Sequence, residues 1–234
     1  MESRYSKILE KNQREIVLLK SFPCSYGKCS FCNYINDNSL NEDEMNTLNF
    51  DILSKVTGEF SSLEVINSGS VFELPAATLK QIVAIVKQKN IKIIYFEIYY
   101  GYHKRLIEII SLFPNTEVRF RTGIETFDND FRKNFYNKNF SLDEAALLNL
   151  SQNIYSTCLL ICVQGQTREM IEEDIRIGLK YFKSITINIF INNETKIKRD
   201  EELFNWFIKK YSHLKNHPKI ELLIDNKDLG VFKQ

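Results

Sequence analysis

The chain has 234 residues, 44% hydrophobic and 26% charged, the make-up of one globular domain with a sizeable core. Its formal net charge is +1 and its pI about 7.6, so it lacks the global positive field that non-specific nucleic-acid binding needs, and no direct nucleic-acid partner is expected. Apolar runs are only strand-length, which argues against a membrane helix, the charged N-terminus lacks the apolar core of a signal peptide, and five cysteines, odd and clustered, argue for a reducing cytoplasm over a disulfide framework.

Residues 1–15 are polar and are expected to form a short helix capping the domain. Six apolar, β-branched runs then read as strands: Ile16–Lys20, Leu63–Asn67, Ile91–Glu97, Glu117–Arg121, Thr157–Val163 and Ile185–Ile191. Ile220–Ile224 is a seventh, at an edge or outside the sheet. Helical patterns fall between them. Pro75–Lys89 opens with proline in its first turn and is apolar at Leu79, Ile82, Val83 and Val86. Tyr102–Leu112 is stopped by Pro114, Thr167–Phe182 starts on a threonine cap, and Asp200–Leu214 is the last long helix. Strand–helix alternation predicts a parallel sheet with right-handed crossovers. Six βα units are too few to close an eight-stranded barrel, which takes roughly 250 residues. The expected fold is α/β, a partial (βα)6 TIM-like barrel open on one side. It is a single domain, 1–234, with its core at about 16–191 and a C-terminal helix and edge strand over 199–234.

Three of the five cysteines stand in one stretch after the first strand, Cys24-Ser-Tyr-Gly-Lys-Cys29-Ser-Phe-Cys32. Thiolates select zinc, copper or iron–sulfur clusters. A closed zinc site wants four protein ligands, and the nearby sequence offers no fourth. A [4Fe–4S] cluster on three cysteines leaves one iron open to a small molecule. Three reduced, buried thiols are the plainer alternative.

In a parallel α/β fold, ligands lie at the C-terminal ends of the strands. After the second strand, Asn67-Ser-Gly-Ser70 lets backbone approach a ligand. Glu73 follows and either faces the site or sits at the surface. Glu97 shares a face with Tyr95 and Tyr99, so it contacts a ligand or pairs with an inward arginine such as Arg121. Arg119 and Arg121 share a face and need acidic partners, and Asp128 is placed to cap a helix. Cys158 and Cys162 read as core fillers. Asn188 and Asn192 share a face of the sixth strand, either as hydrogen-bonders to a base edge or on a solvated edge. Asp225 and Asn226 form a last polar pair.

C-x4-C-x2-C with an aromatic before the third cysteine resembles the radical S-adenosylmethionine superfamily, although the commoner spacing there is C-x3-C-x2-C. The resemblance implies that Cys24, Cys29 and Cys32 hold a [4Fe–4S] cluster whose open iron chelates S-adenosylmethionine. It implies contacts to that cofactor from Phe31, Tyr34, Asn67, Ser68, Gly69, Arg121, Glu125, Val163 and Gly165. Here Asn-Ser-Gly-Ser varies the superfamily's Gly-Gly-Glu element, and Ile161 replaces the first glycine of its Gly-x-Ile-x-Gly-x3-Glu element. The expected partner is an electron donor such as flavodoxin or ferredoxin.

Over most of the chain, Ser21–Tyr34, Val65–Pro75, Gly123–Asp128 and Gly165–Thr167 together resemble the queuine lyases, bacterial queuine-salvage enzymes. That family cleaves the C–N bond between the cyclopentenediol and the 7-aminomethyl group of queuine, giving 7-aminomethyl-7-deazaguanine for tRNA modification. On this likeness Glu97 and Arg121 are the candidate catalytic residues. Glu73, Glu97, Tyr99, Asn188, Asn192, Asp225 and Asn226 are the candidate substrate contacts, and either the C-terminal segment Asp225–Gln234 or a second subunit, as a homodimer, would cover an open barrel. The competing readings are a radical enzyme acting on a tRNA nucleotide, a non-enzymatic iron–sulfur or zinc protein, and a peptide maturase.

Overall fold

The structure is a computed structural model that describes residues 3–225 and 228–231. Its eight strands form one sheet in the order β1-β2-β3-β4-β5-β6-β7-β8, the order of the chain. That is the topology of the expected partial (βα)6 barrel. The chain divides into two compact units, residues 1–27, 34–120 and 227–234 in one, and residues 28–33 and 121–226 in the other. The cysteine stretch therefore starts in the first unit and ends in the second.

The first unit opens on an element that the sequence reading missed. Residues 3–15 do not form a helix. Instead β1 (Tyr5–Ile8) runs antiparallel to β2 (Arg14–Leu19), with Tyr5 opposite Val17 and Ile8 opposite Arg14. Asn12 in the connecting turn has a φ of 53°, a conformation that asparagine tolerates and that lets the chain reverse. The hairpin is fixed by polar groups, which is why its composition looks helix-like. Glu15 is fully buried and accepts hydrogen bonds from Tyr5 Oη, Thr57 N and Oγ1, and Gly58 N. Burial and this carboxylate push the Tyr5 hydroxyl well above its ordinary value.

All six residues of β2 are buried, as expected for a strand covered on both faces. It pairs in parallel with β3 (Ser62–Asn67), and β3 with β4 (Ile93–Ile98). The crossover helices are α1 (Glu42–Ser54), absent from the sequence reading, and α2 (Ala76–Gln88). Buried pairs Arg14–Glu64 and Arg4–Asp37 neutralise the charges near β2. The stretch after β4 is broken into a 3-10 turn at Tyr100–Tyr102 and the short α3 (Leu106–Ile110), where one helix was expected.

The second unit takes over within β5 (Glu117–Glu125). Beyond it come α4 (Asn129–Asn134), α5 (Glu144–Asn153), β6 (Ser156–Ile161), α6 (Arg168–Tyr181), β7 (Ser184–Ile189), α7 (Glu201–Tyr211) and β8 (Ile220–Leu223). Strands β5 to β8 pair in parallel. Side-chain caps on Phe131 N, Ala146 N, Met170 N and Leu203 N from Asp128, Asp143, Thr167 and Asp200 start the four helices. Arg121 reaches Ser156 Oγ (3.3 Å) and Glu221 (3.2 Å), so these three side chains share one face. Alternation and register place Cys158, Thr186 and Asn188 on it too. Cys162 is fully buried, as expected, and burial pushes its thiol up to about 12. Cys158, in contrast, is only half-buried.

Candidate active site

In the first unit the site is built around Glu73. The turn after β3 carries Ser70, whose hydroxyl caps a 3-10 turn at Val71–Glu73 while Glu73 reaches back to the Ser70 N–H, a capping box. Glu73 Oε2 accepts from Ser70 N (2.6 Å), and Oε1 accepts from Ser25 N (3.3 Å) and from Tyr102 Oη (2.8 Å). The Glu73 carbonyl accepts from Phe22 N (2.9 Å). Both ends of this residue therefore hold the chain around Cys24. The sequence reading placed Glu73 against substrate. The structure places it 6% exposed under the cysteine loop.

Asn67 and Ser68 serve the same purpose. Asn67 Nδ2 donates to Ser21 Oγ (3.1 Å) and to the Ser70 carbonyl (3.0 Å), and the Ser21 and Ser68 hydroxyls meet at 3.1 Å. Gly69 lies close to its neighbours. A Cβ there would stand 3.0 Å from Glu73 Oε2 and 3.2 Å from the Cys24 Cα. Tyr26, from the loop itself, stacks on Tyr99 with centroids 5.0 Å apart. Tyr102 meets Tyr99 edge-on, and a Cβ on Gly101 would lie 2.7 Å from the Tyr99 ring. Glu97 is half-buried two residues earlier. Tyr34 is 50% exposed at the start of a 3-10 turn, Tyr34–Asp37.

The second unit seats the other half of the loop. Ser30 N donates to the Tyr136 carbonyl (3.1 Å) and Ser30 Oγ to the Phe135 carbonyl (2.6 Å). Asn137 Nδ2 donates to the Lys28 carbonyl (2.7 Å), and Asn193 Nδ2 to that of Phe31 (3.0 Å). Phe31 packs on a buried cluster of Tyr136, Leu160, Val163, Phe190 and Ile197, which brings Phe31 and Val163 together. The Tyr136 hydroxyl donates to the Leu160 carbonyl. Gln166 braces the strand end, accepting from Val163 N and donating to the Leu160 carbonyl. Gly165 turns there with φ +91°.

Next to Phe31 lies a buried ion pair. Lys138 Nζ sits 2.7 Å from Glu125 Oε1 and 5.9 Å from the Phe31 ring centroid. Both side chains are about nine-tenths buried, 9% and 11% exposed. Burial pulls the ammonium pKa down, but Glu125 and the Cys29 sulfur outweigh it and hold the group cationic. Glu125 has φ +69° beside a register shift in β5, and a Cβ on Gly123 would lie 2.2 Å from its Oε1. A non-glycine residue held in this region costs about 1–3 kcal/mol and survives only where its surroundings determine it.

The other expected contacts are more dispersed. Arg121, an expected catalytic residue, bonds Ser156 and Glu221 at the level where β6 begins. Asn188 is half-buried on the face of β7 shared with Cys158. Asn192 is exposed, and its Oδ1 accepts from Arg199 N (2.8 Å). Asp225 is exposed beyond β8, and Asn226 lies outside the described residues.

No family model matches the chain, and no curated protein does. Among solved structures, queuine lyase from Clostridium spiroforme bound to SAM and queuine is 48% identical, covers 100% of both chains and superposes with a TM-score of 0.96. The chain belongs to the queuine lyase family. Streptococcus suis SuiB, bound to the precursor peptide SuiA or to S-adenosylmethionine, is similar at 12% and 11% identity with TM-scores of 0.54 and 0.51. It covers 88% and 92% of this chain and 48% and 47% of its own. At that identity only the fold is shared.

Among the described residues no group of three or more His, Cys, Asp or Glu side chains could hold a single metal ion. A cluster makes a different demand, one thiolate for each iron, so its sulfurs stand further apart than the ligands of one ion. The chain's donors suit it chemically. Cys24, Cys29 and Cys32 are half-buried, on a loop tied to Glu73 at one end and to the Phe135–Asn137 turn at the other. Lys138, Tyr136, Asn137 and Asn193 were missed in this queuine lyase sequence because they are ordinary polar or aromatic residues far along the chain from the cysteines. Among the described residues no helix is long and apolar enough to cross a membrane.

Proposed function

We propose that the chain is a queuine lyase of the radical S-adenosylmethionine type, breaking the C–N bond between the cyclopentenediol and the 7-aminomethyl group of queuine and releasing 7-aminomethyl-7-deazaguanine. The observation that carries this reading is the full-length, 48% identical match to a queuine lyase bound to SAM and queuine. Cys24, Cys29 and Cys32 would hold the [4Fe–4S] cluster. With S-adenosylmethionine, that cluster supplies the electron and the hydrogen-abstracting radical that start the reaction. A one-electron carrier such as flavodoxin or ferredoxin would recharge it.

The chain's own residues do three things. Glu73, Asn67 and Ser21 fix the backbone on which Cys24 stands, while Ser30 and Asn137 fix the segment that carries Cys29 and Cys32. Phe31, backed by the buried cluster that contains Val163, offers an apolar wall for adenine and excludes water from it. Glu97, Tyr99 and Asn188 are half-buried polar or aromatic groups at or near the C-terminal ends of their strands, suited to the donor-rich edge and the flat face of a deazaguanine.

Anaerobic reconstitution with iron and sulfide, followed by reductant, S-adenosylmethionine and queuine, tests the proposal. Mass spectrometry should find 7-aminomethyl-7-deazaguanine together with 5′-deoxyadenosine. Deoxyadenosine without the deazaguanine product would sink the lyase reading and leave the radical chemistry standing. Cys29→Ala should abolish both, and turnover in that variant would sink the cluster assignment.

A further inference from the structure

The Lys138–Glu125 pair lies beside Phe31 of the cysteine loop, and the roles assigned under the proposed function do not use it. It costs the fold something to keep. Burying two charges is expensive unless geometry is good, Glu125 sits at positive φ, and Gly123 must lack a side chain to leave room. The lysine ammonium lies 5.9 Å from the ring centroid of Phe31, the residue between Cys29 and Cys32 in the loop. The segment that carries the lysine is the one that holds the cysteine loop, through Ser30 to Phe135 and Tyr136, and Lys28 to Asn137. Loop and cation are therefore positioned by the same four residues, 135–138.

We propose that Lys138 is a positioning residue that sets the reduction potential of the cluster held by Cys24, Cys29 and Cys32, with Glu125 as the counter-charge that limits its effect. A cluster gains negative charge when it is reduced, so a fixed cation beside the loop that carries its thiolates favours the reduced form. Water would screen such a charge, but this one is buried. Net charge, hydrogen bonding and burial around the sulfurs are the means by which a protein tunes such a potential. The inference rests on the cluster assigned under the proposed function and adds to it which side chain governs the ease of reduction.

The two partners should act in opposite directions. In reconstituted protein without S-adenosylmethionine, an EPR-monitored redox titration would compare the native chain with K138M, K138R and E125Q. K138M should lower the ratio of reduced to oxidised cluster at a fixed potential at least tenfold, about 59 mV for a one-electron couple. E125Q should raise that ratio, and K138R should stay close to the native value. Equal potentials in K138M and E125Q at full iron content would overturn the proposal. So would shifts of the same sign, which would report loosened packing. If K138M does not retain iron, E125Q decides alone, and an unchanged or lowered ratio overturns the proposal. Failure of the native chain to build a cluster would count against the proposed function, a distinguishable result.

Discussion

The two ends of the cysteine loop are anchored by opposite kinds of chemistry. Around Cys24 the anchor is a carboxylate with both oxygens satisfied by hydrogen-bond donors, and no basic side chain appears among those donors. Around Cys29 and Cys32 it is an aromatic cluster with a buried ion pair beside it. A carboxylate hydrogen-bonded to neutral donors fixes backbone through several bonds and keeps its negative charge. A buried ammonium paired with a carboxylate fixes less backbone and sets two opposite charges beside the loop. The first seat holds the loop by hydrogen bonds, and the second holds it beside a charge pair.

That contrast can be broken most forcefully at Lys138. Lys138→Met strands the Glu125 carboxylate in a buried site, and losing one partner of such a pair costs about 3–5 kcal/mol. Replacing both, K138M with E125Q, should recover most of that loss, because a neutral pair of similar shape avoids the desolvation of two ions. Urea denaturation of the single and double variants checks this. A double variant as unstable as the single one would mean that the pair contributes packing and not charge compensation.

Asp174 offers the contrast within the second unit. It is 2% exposed, its Oδ1 accepts from Phe127 N and Thr126 Oγ1, and its Oδ2 has no hydrogen-bond partner. Unlike Glu73 it is half satisfied, and burial raises its pKa to about 7. A carboxyl group with a raised folded-state pKa binds more protons folded than unfolded. Its contribution to stability is therefore present at low pH and falls as pH rises from about 4 to about 7, by on the order of 4 kcal/mol. Asp174→Asn removes the titrating group. Its stability relative to the native chain should rise across that interval and level off above it. Parallel profiles for the two proteins between pH 5 and pH 8 would contradict this.

The seat around Cys24 was largely legible in the sequence, and the other was not. Asn67, Ser68, Gly69 and Glu73 fall within one short motif after a predicted strand, so local pattern found them. The structure adds that the Asn67, Ser68 and Glu73 side chains also bond groups that carry the loop. Lys138 is 13 residues from Glu125 and far from Cys29 in sequence, in a polar turn with no periodicity. Only the tertiary fold brings these together. The β1–β2 hairpin escaped for a related reason. Its strands are short and one carries buried charges, and periodicity cannot reveal that Arg14 and Glu15 have partners at Glu64 and Thr57. Strand order and the parallel sheet were legible because continuous apolar runs alternating with amphipathic helices admit few other arrangements.

Glu73→Gln tests the polar seat with a smaller perturbation. Every group that Glu73 receives through its side chain is a donor: two backbone N–H groups and the Tyr102 hydroxyl. An amide places its own NH2 against one of them, so one bond is lost and a buried donor is left facing another, at a cost of about 1–3 kcal/mol. E73Q should hold less iron after reconstitution, and the cluster that does form should be easier to reduce, because a buried negative charge beside Cys24 is gone. Undiminished iron content would remove the anchoring role and dissolve the distinction between the seats.

The smallest effect is expected at Tyr26. Its ring stacks on Tyr99 at 5.0 Å with an interplanar angle of 24°, and aromatic pairs of this kind contribute about 0.5–1.5 kcal/mol beyond their buried area. Tyr26→Leu keeps an apolar side chain at the tip of the loop and removes the stack. Global stability should fall by about 1 kcal/mol, close to the resolution of a urea titration. Amide hydrogen exchange is the sharper measurement, because a loop held by local contacts opens without global unfolding. Exchange at Ser25, whose N–H is bonded to Glu73, should quicken in Y26L, while Ser30, bonded to Tyr136, should keep its native rate. Faster exchange at both would show that the loop opens as one piece, and that the two seats are a single cooperative anchor.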